Sequence, residues 1–437
     1  MGDFRPGKVT VDTQRQIARG NVDVAEMFNV PNARFIISDR IASEKQIVFG
    51  EDCELVFKDG GSLQADLVFN RTLLSGEVNL KGSSISGTVS NDSFNAGWLC
   101  PMDGKSDDAA AINQMIAVCD TILFPKGVYT LLSTYAPPHE MKGRSSIKCH
   151  VGINRSHVFL RGEDGAQWYV PDVVGAVCIF TPPGEIDNSV RDITIDNLEF
   201  RVQNDGEHFH EWTHTVHCIG VDGLVIRNCF FNDFWGDAIT LGHYGDTPET
   251  GERARNQNVT ITGNRIQGGD HHNNRNGISV INGKNVLIEG NTILNTTKSD
   301  MPGAIDVEPN NTAYTIDNII IRKNKISGCR GTAGGICVHA NKKGGPAHNI
   351  TIEGNEIGNC TSGLSFVIAA DNTTSNFTVR NNVVDEDTRP FQFIGSGKSS
   401  NWTISDNVLK KGSAFKLGGS IKVSGFVQKN NQFGNKK

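Results

Sequence analysis

The sequence predicts an all-β solenoid, a stack of short parallel strands entered through an N-terminal cap. Three observations carry this. Six segments align: Val259-Thr260-Ile261-Thr262-Gly263-Asn264, Val286-Leu287-Ile288-Glu289-Gly290-Asn291, Ile319-Ile320-Ile321-Arg322-Lys323-Asn324, Ile350-Thr351-Ile352-Glu353-Gly354-Asn355, Phe377-Thr378-Val379-Arg380-Asn381-Asn382 and Trp402-Thr403-Ile404-Ser405-Asp406-Asn407. Their asparagines recur at intervals of 27, 33, 31, 27 and 25 residues, the period of stacked coils that bury their apolar faces against one another. A second strand pattern alternates with the first. Composition agrees: Gly is abundant at 48 residues and only 21% of the chain is charged, which suits turns and strands better than helices.

The elements follow in order. Residues 1–34 carry no clear period beyond a short helical stretch from Val22 to Phe28. From Phe35 to Val89 short alternating strands are expected at Gln46–Phe49, Glu54–Phe57, Asp66–Phe69 and Glu77–Leu80, separated by turns such as Asp59-Gly60-Gly61. Residues 1–95 therefore read as cap and leading strands, and 96–437 as the solenoid with the catalytic apparatus. Asp107 and Asp108 are placed to cap a helix running to Val118, and Thr121–Tyr129 reads as strand and turn. The repeated asparagines should form an internal ladder, each side chain satisfying turn backbone in the next coil. Upstream, Leu224–Cys229 and Ile193–Leu198 extend the series without the final asparagine.

Asp103-Gly104-Lys105-Ser106-Asp107-Asp108-Ala109-Ala110-Ala111-Ile112 followed by Phe124-Pro125-Lys126-Gly127-Val128-Tyr129 resembles the entry module of the pectate-lyase-like, right-handed parallel β-helix superfamily. That superfamily pairs D-G-x-x-D-D-x-x-A-I with F-P-x-G-x-Y, and both are matched. The strand-rich stretch before them is similar to the N-terminal cap of many gut-bacterial and phage members. The resemblance spans most of the chain and implies polysaccharide-active enzymes or phage tailspikes; it is specific for fold, not for substrate.

The second strand pattern supplies the candidate site. Its members align so that one outward column reads His217, Thr240, Ser279, Asp306, Cys337, Ser365, Gln392, and the neighbouring one Ile219, Gly242, Ile281, Glu308, His339, Val367, Ile394. In a strand, residues two apart share a side, so Asp306 and Glu308 should stand together on the outer, exposed face. Adjacent coils sit about 4.8 Å apart, which puts His339 beside Glu308. Two carboxylates this close repel, so one keeps its proton and an acid is separated from a base, the requirement of glycoside hydrolysis. The alternative is that the pair merely solvates a strand face. Asp306, Glu308 and His339 are the expected catalytic residues, with Glu308 the acid and Asp306 the base or nucleophile. The arrangement is similar to iota-carrageenase-type hydrolases, where the order on the strand is Glu then Asp. Asp237, after Gly236, is similar to the G-D position of polygalacturonase-type hydrolases, whose additional Asp pair and His-Gly motif are missing here.

Around the pair, Arg275, Asp270, His271 and His272 form a loop suited to carboxylates, sulfates or hydroxyls, or simply an exposed polar loop. Eight of the twelve histidines fall between His208 and His339, His217 and His243 among them. The segment His208–His217 reads as a metal site or as a loop lining the groove; it lacks a defined ligand spacing, so neither metal nor other cofactor is expected. Trp212 and Trp235 are candidate sugar-stacking platforms, a core role being the alternative for Trp235. The expected partner is a polysaccharide or oligosaccharide.

Other classes are narrowed by composition. A net charge of −6 without a basic run argues against nucleic acid, and no apolar stretch suffices to span a membrane. The ten cysteines form no C-x-x-C and read as buried filler. The N-terminus lacks the apolar core of a signal peptide, so either the protein is not exported by that route or a signal has been removed. An extracellular or periplasmic enzyme, or a phage virion protein, is expected, with homo-oligomers open (a trimer for a tailspike). Competing with hydrolysis are a lyase or C5-epimerase of uronic-acid polymers, drawing on Arg275, His271, His339 or Lys298, and a non-catalytic glycan-binding tailspike or adhesin.

Overall fold

The computed structural model describes residues 8–18, 23–135, 148–182, 190–243, 248–341, 344–370, 372–385, 389–411 and 417–434. They fall into two compact units, residues 1–133 with 158–166, and residues 134–157 with 167–437.

The first unit is a stack of parallel strands. Val9–Asp12, Ala33–Ile37, Glu54–Phe57 and the long strand Asp66–Gly76 pair in that order. Alternation drives this: Ala33, Phe35 and Ile37 are fully buried while Arg34 and Ile36 between them are half-buried, and Leu55 and Phe57 repeat the pattern. The expected strand at Glu77–Leu80 is absent; the preceding strand ends at Gly76 and the chain turns through Lys81-Gly82. The short helix is Val24–Met27, capped by Asp23; Val22 lies outside the described residues. Helix Ala109–Val118 forms as expected, but its cap is divided. Asp107 Oδ1 accepts from Ala109 N at 3.0 Å, whereas Asp108 turns inward and accepts from Thr130 N at 3.1 Å.

The second unit is a parallel β-helix whose coils each contribute three strands. Ile316–Arg322, Lys325–Ser327 and Gly334–Ala340 make one coil; Ala347–Glu353, Glu356–Gly358 and Ser362–Ile368 make the next. The strands of two or three residues directly after each ladder asparagine escape the sequence pattern, because so few residues carry no readable period. In the first sheet the branched residues Ile261, Ile288, Ile321, Ile352, Val379 and Ile404 stack in register, all fully buried. Each such side chain contributes roughly 2 kcal/mol by leaving water.

The asparagine ladder is present along its expected length. Asn264, Asn291, Asn324, Asn355, Asn382 and Asn407 are buried, and in each the backbone N–H and Nδ2 both donate to Oδ1 of the next asparagine. Each Nδ2 also donates to a backbone carbonyl of the preceding coil, as Asn324 does to Ile288 O at 2.9 Å. A second, exposed series runs through Asn258, Asn285, Asn318, Asn349, Asn376 and Asn401, whose φ values of 54° to 60° demand the left-handed region that asparagine tolerates; each Nδ2 from Asn285 on donates to the preceding Oδ1, except that of Asn349, which donates to Asp317 Oδ1. All ten cysteines are free and buried.

Candidate functional site

The third sheet of this unit carries the candidate pair. Strands Val216–Ile219, Ile239–Leu241, Ile278–Val280, Gly303–Val307, Gly334–Ala340, Ser362–Ile368 and Arg389–Gly395 pair in sequence order. The register stacks His217, Thr240, Ser279, Asp306, Cys337, Ser365 and Gln392, the column expected from the sequence. Asp306 is nevertheless not on an exposed face. It is 0% exposed, because Asn276, from the segment leading into the adjacent strand, lies over it. Asn276 Nδ2 donates to Asp306 Oδ2 at 3.2 Å and to Ser279 Oγ at 3.0 Å, while its Oδ1 accepts from Gly303 N.

Burial and the neighbouring Glu308 push Asp306 well above the usual carboxylate range, and Arg275 only partly offsets them. Asp306 Oδ1 has no donor among the described residues, so nothing at that oxygen offsets the cost of charge there. Glu308 is the accessible member, with a side chain 14% exposed. Its Oε1 lies 3.5 Å from His339 Nδ1 and accepts from Asn341 Nδ2 at 3.3 Å; its Oε2 lies 3.9 Å from Arg275 Nη2. His339 is thus beside Glu308 as the coil spacing requires. Cys337, stacked on Asp306, is pushed far up by burial and by both carboxylates, and stays a neutral thiol.

Behind the pair lies a buried charge network that the sequence only hinted at. Arg275 Nη1 donates to both oxygens of Asp237, at 2.9 and 2.8 Å, and Asp237 also accepts from Thr240 Oγ1 and Asn276 N. Burial alone would raise Asp237, but Arg275 and these donors outweigh it and hold the carboxyl below its ordinary value. Burial opposes the charge on Arg275 as well, and Asp237, Asp306 and Glu308 reverse the sign, keeping the guanidinium firmly protonated. His214 is pushed down to about 3 by burial, so it is neutral; its Nδ1 accepts from Asp237 N at 3.1 Å. Asp237 stood out in the sequence through its Gly-Asp context. His214 and Asn276 did not, since a buried partner leaves no period.

The remaining candidates divide. Arg275 joins the pair but is turned inward. His217, 5% exposed, packs its ring 5.0 Å from His214, and Trp235, 3% exposed, donates Nε1 to Asp172 O, so neither presents a surface to a ligand. Trp212 is 54% exposed. Asp270 and His271 are exposed, and His271 is tied to Asp233 at 2.9 Å. His272 is half-buried, and burial with Arg330 nearby lowers its pKa. His243 pairs with the Tyr314 hydroxyl. Within His208–His217 the partners diverge, His208 to Asp205 and His214 to Asp237, rather than converging on one point.

The family model for the right-handed β-helix region matches residues 254–436, and no curated protein matches the chain. Among solved structures, PfbA, a surface adhesin of Streptococcus pneumoniae, superposes at a TM-score of 0.50 with 16% identity, covering 78% of this chain and 92% of that one. The Acinetobacter baumannii phage AM24 tailspike gives 0.49 with 13% identity over 79% of this chain and 54% of its own. An exopolygalacturonase from Thermotoga maritima gives 0.48 with 12% identity over 76% and 92%. With the parallel sheets above, the family model and the PfbA superposition identify the fold as a right-handed parallel β-helix.

Proposed function

We propose that the second unit is a glycoside hydrolase acting on an extended polysaccharide, with Glu308 as the group that protonates the departing oxygen. The observation that supports it most is the carboxyl pair itself: Asp306, fully buried and pushed toward its protonated form by burial and by Glu308, adjoins Glu308, which reaches solvent. The exposed member can hand on the proton that the buried member stabilises. Asp306 is therefore a positioning and proton-holding residue rather than a nucleophile, since a group without exposed surface does not meet an anomeric carbon. His339, one-third exposed beside Glu308, offers the route by which the proton is replaced.

A lyase or epimerase needs a base that can give up its proton. Arg275 is held in the opposite state by Asp237, so this reading would fall on His271, His339 or Lys298. A non-catalytic glycan-binding role predicts no product at all. Incubation with a panel of neutral, sulfated and uronate polysaccharides separates the three. New reducing ends without the ultraviolet absorbance of an unsaturated uronate are expected, and Glu308→Gln should cut turnover by about a hundredfold or more. Absorbance would establish a lyase, and unchanged turnover in Glu308→Gln would remove Glu308 from the chemistry.

A further inference from the structure

Resting on that hydrolytic reading, we propose that Glu211 is the second catalytic carboxylate, the base that activates the attacking water. Hydrolysis needs a second carboxylate that can meet water or sugar, and Asp306, 0% exposed, is closed to both. Glu211 lies in the connection between strands Glu199–Val202 and Val216–Ile219, with its side chain 36% exposed. Its Oε1 is 3.7 Å from Arg275 Nε, and Glu308 Oε2 is 3.9 Å from Nη2 of the same guanidinium. One planar group thus faces both carboxylates and keeps these oxygens within about 10 Å of each other. That limit accommodates the roughly 6.5–9.5 Å separation of inverting hydrolases, in which a water fits between base and sugar.

Two further features leave Glu211 available to a water. Both guanidinium contacts are longer than a hydrogen bond, so neither ties up a carboxylate oxygen. Arg275 Nε is buried and has no hydrogen-bond partner among the described residues, and its ion-pair contact is with Glu211. The loop is also fixed to the coil that carries Asp237. Gly236 N donates to Thr213 O at 2.7 Å, Asn204 Nδ2 to Phe234 O at 2.8 Å, and a Cβ at Gly236 would fall 2.7 Å from Glu211 O. Only glycine at 236 lets Glu211 approach so closely.

In the reaction, Glu211 takes a proton from water and the water oxygen bonds to the anomeric carbon as the glycosidic C–O bond breaks. Glu308 passes the proton held by its pair with Asp306 to the departing oxygen. The anomeric configuration inverts, and exchange with solvent returns the proton from Glu211 and restores the one on the pair.

The test uses the full chain and a glycan that the wild-type cleaves. Glu211→Gln should fold normally and lower kcat by about a hundredfold or more with KM little changed. Glu211→Ala should regain turnover with azide, giving an inverted glycosyl azide, and the first product of the wild-type should be inverted by proton NMR. Retained configuration, or near-normal turnover in Glu211→Gln while Glu308→Gln is inactive, overturns the role of Glu211 and leaves the hydrolase standing. A wild-type that cleaves no glycan removes both.

Discussion

Replacing Asn324 by alanine measures what the internal ladder contributes. Its side chain makes four hydrogen bonds: Nδ2 donates to Ile288 O at 2.9 Å and to Asn355 Oδ1 at 3.0 Å, while Oδ1 accepts from Asn291 N at 2.9 Å and Asn291 Nδ2 at 3.0 Å. Alanine leaves Ile288 O, Asn291 N and Asn291 Nδ2 without these partners in a turn that excludes water; Asn355 Oδ1 keeps the Asn324 N–H at 3.0 Å. Each buried polar group left unsatisfied costs about 1–3 kcal/mol, so a loss of about 4 kcal/mol is expected after modest relaxation. Asn318→Ala is the internal control. It breaks an exposed rung, Asn318 Nδ2 to Asn285 Oδ1, and forces alanine to φ 55°, for about 1 kcal/mol. Urea denaturation followed by circular dichroism reads both midpoints. Equal losses in the two variants would refute the argument that burial, rather than repetition, gives the ladder its strength.

Two further outcomes follow from the charge network. Asp306 is raised in the folded state, so the stability it contributes is present at low pH and lost as pH rises through its folded value; Asp306→Asn should therefore gain on the wild-type with increasing pH. Melting curves across the pH range check this, and a constant offset would mean that Asp306 is not the proton holder. Asp237 is lowered, so its contribution is present above the ordinary carboxylate range and lost as pH falls through its folded value. Asp237→Asn should cost about 3–5 kcal/mol at neutral pH by stranding Arg275, with the gap closing in acid; a gap independent of pH would contradict the pairing.

The sequence by itself determined the solenoid, because a coil-to-coil repeat must put like residues in register, and asparagine, isoleucine and valine report that register directly. It also determined which residues share a column: the alignment that put Ser279, Asp306 and Cys337 side by side is the pairing observed. His339 beside Glu308 follows from the same register. Tertiary structure alone decided what covers a column. Alternation says which way Asp306 points, but only the placement of Asn276 makes that outward face an interior, and burial then raises the carboxyl expected to be the base. The same limit kept Glu211 from view. It lies in a connection without period, and it reaches Arg275 only because the absence of a side chain at Gly236 lets two loops meet.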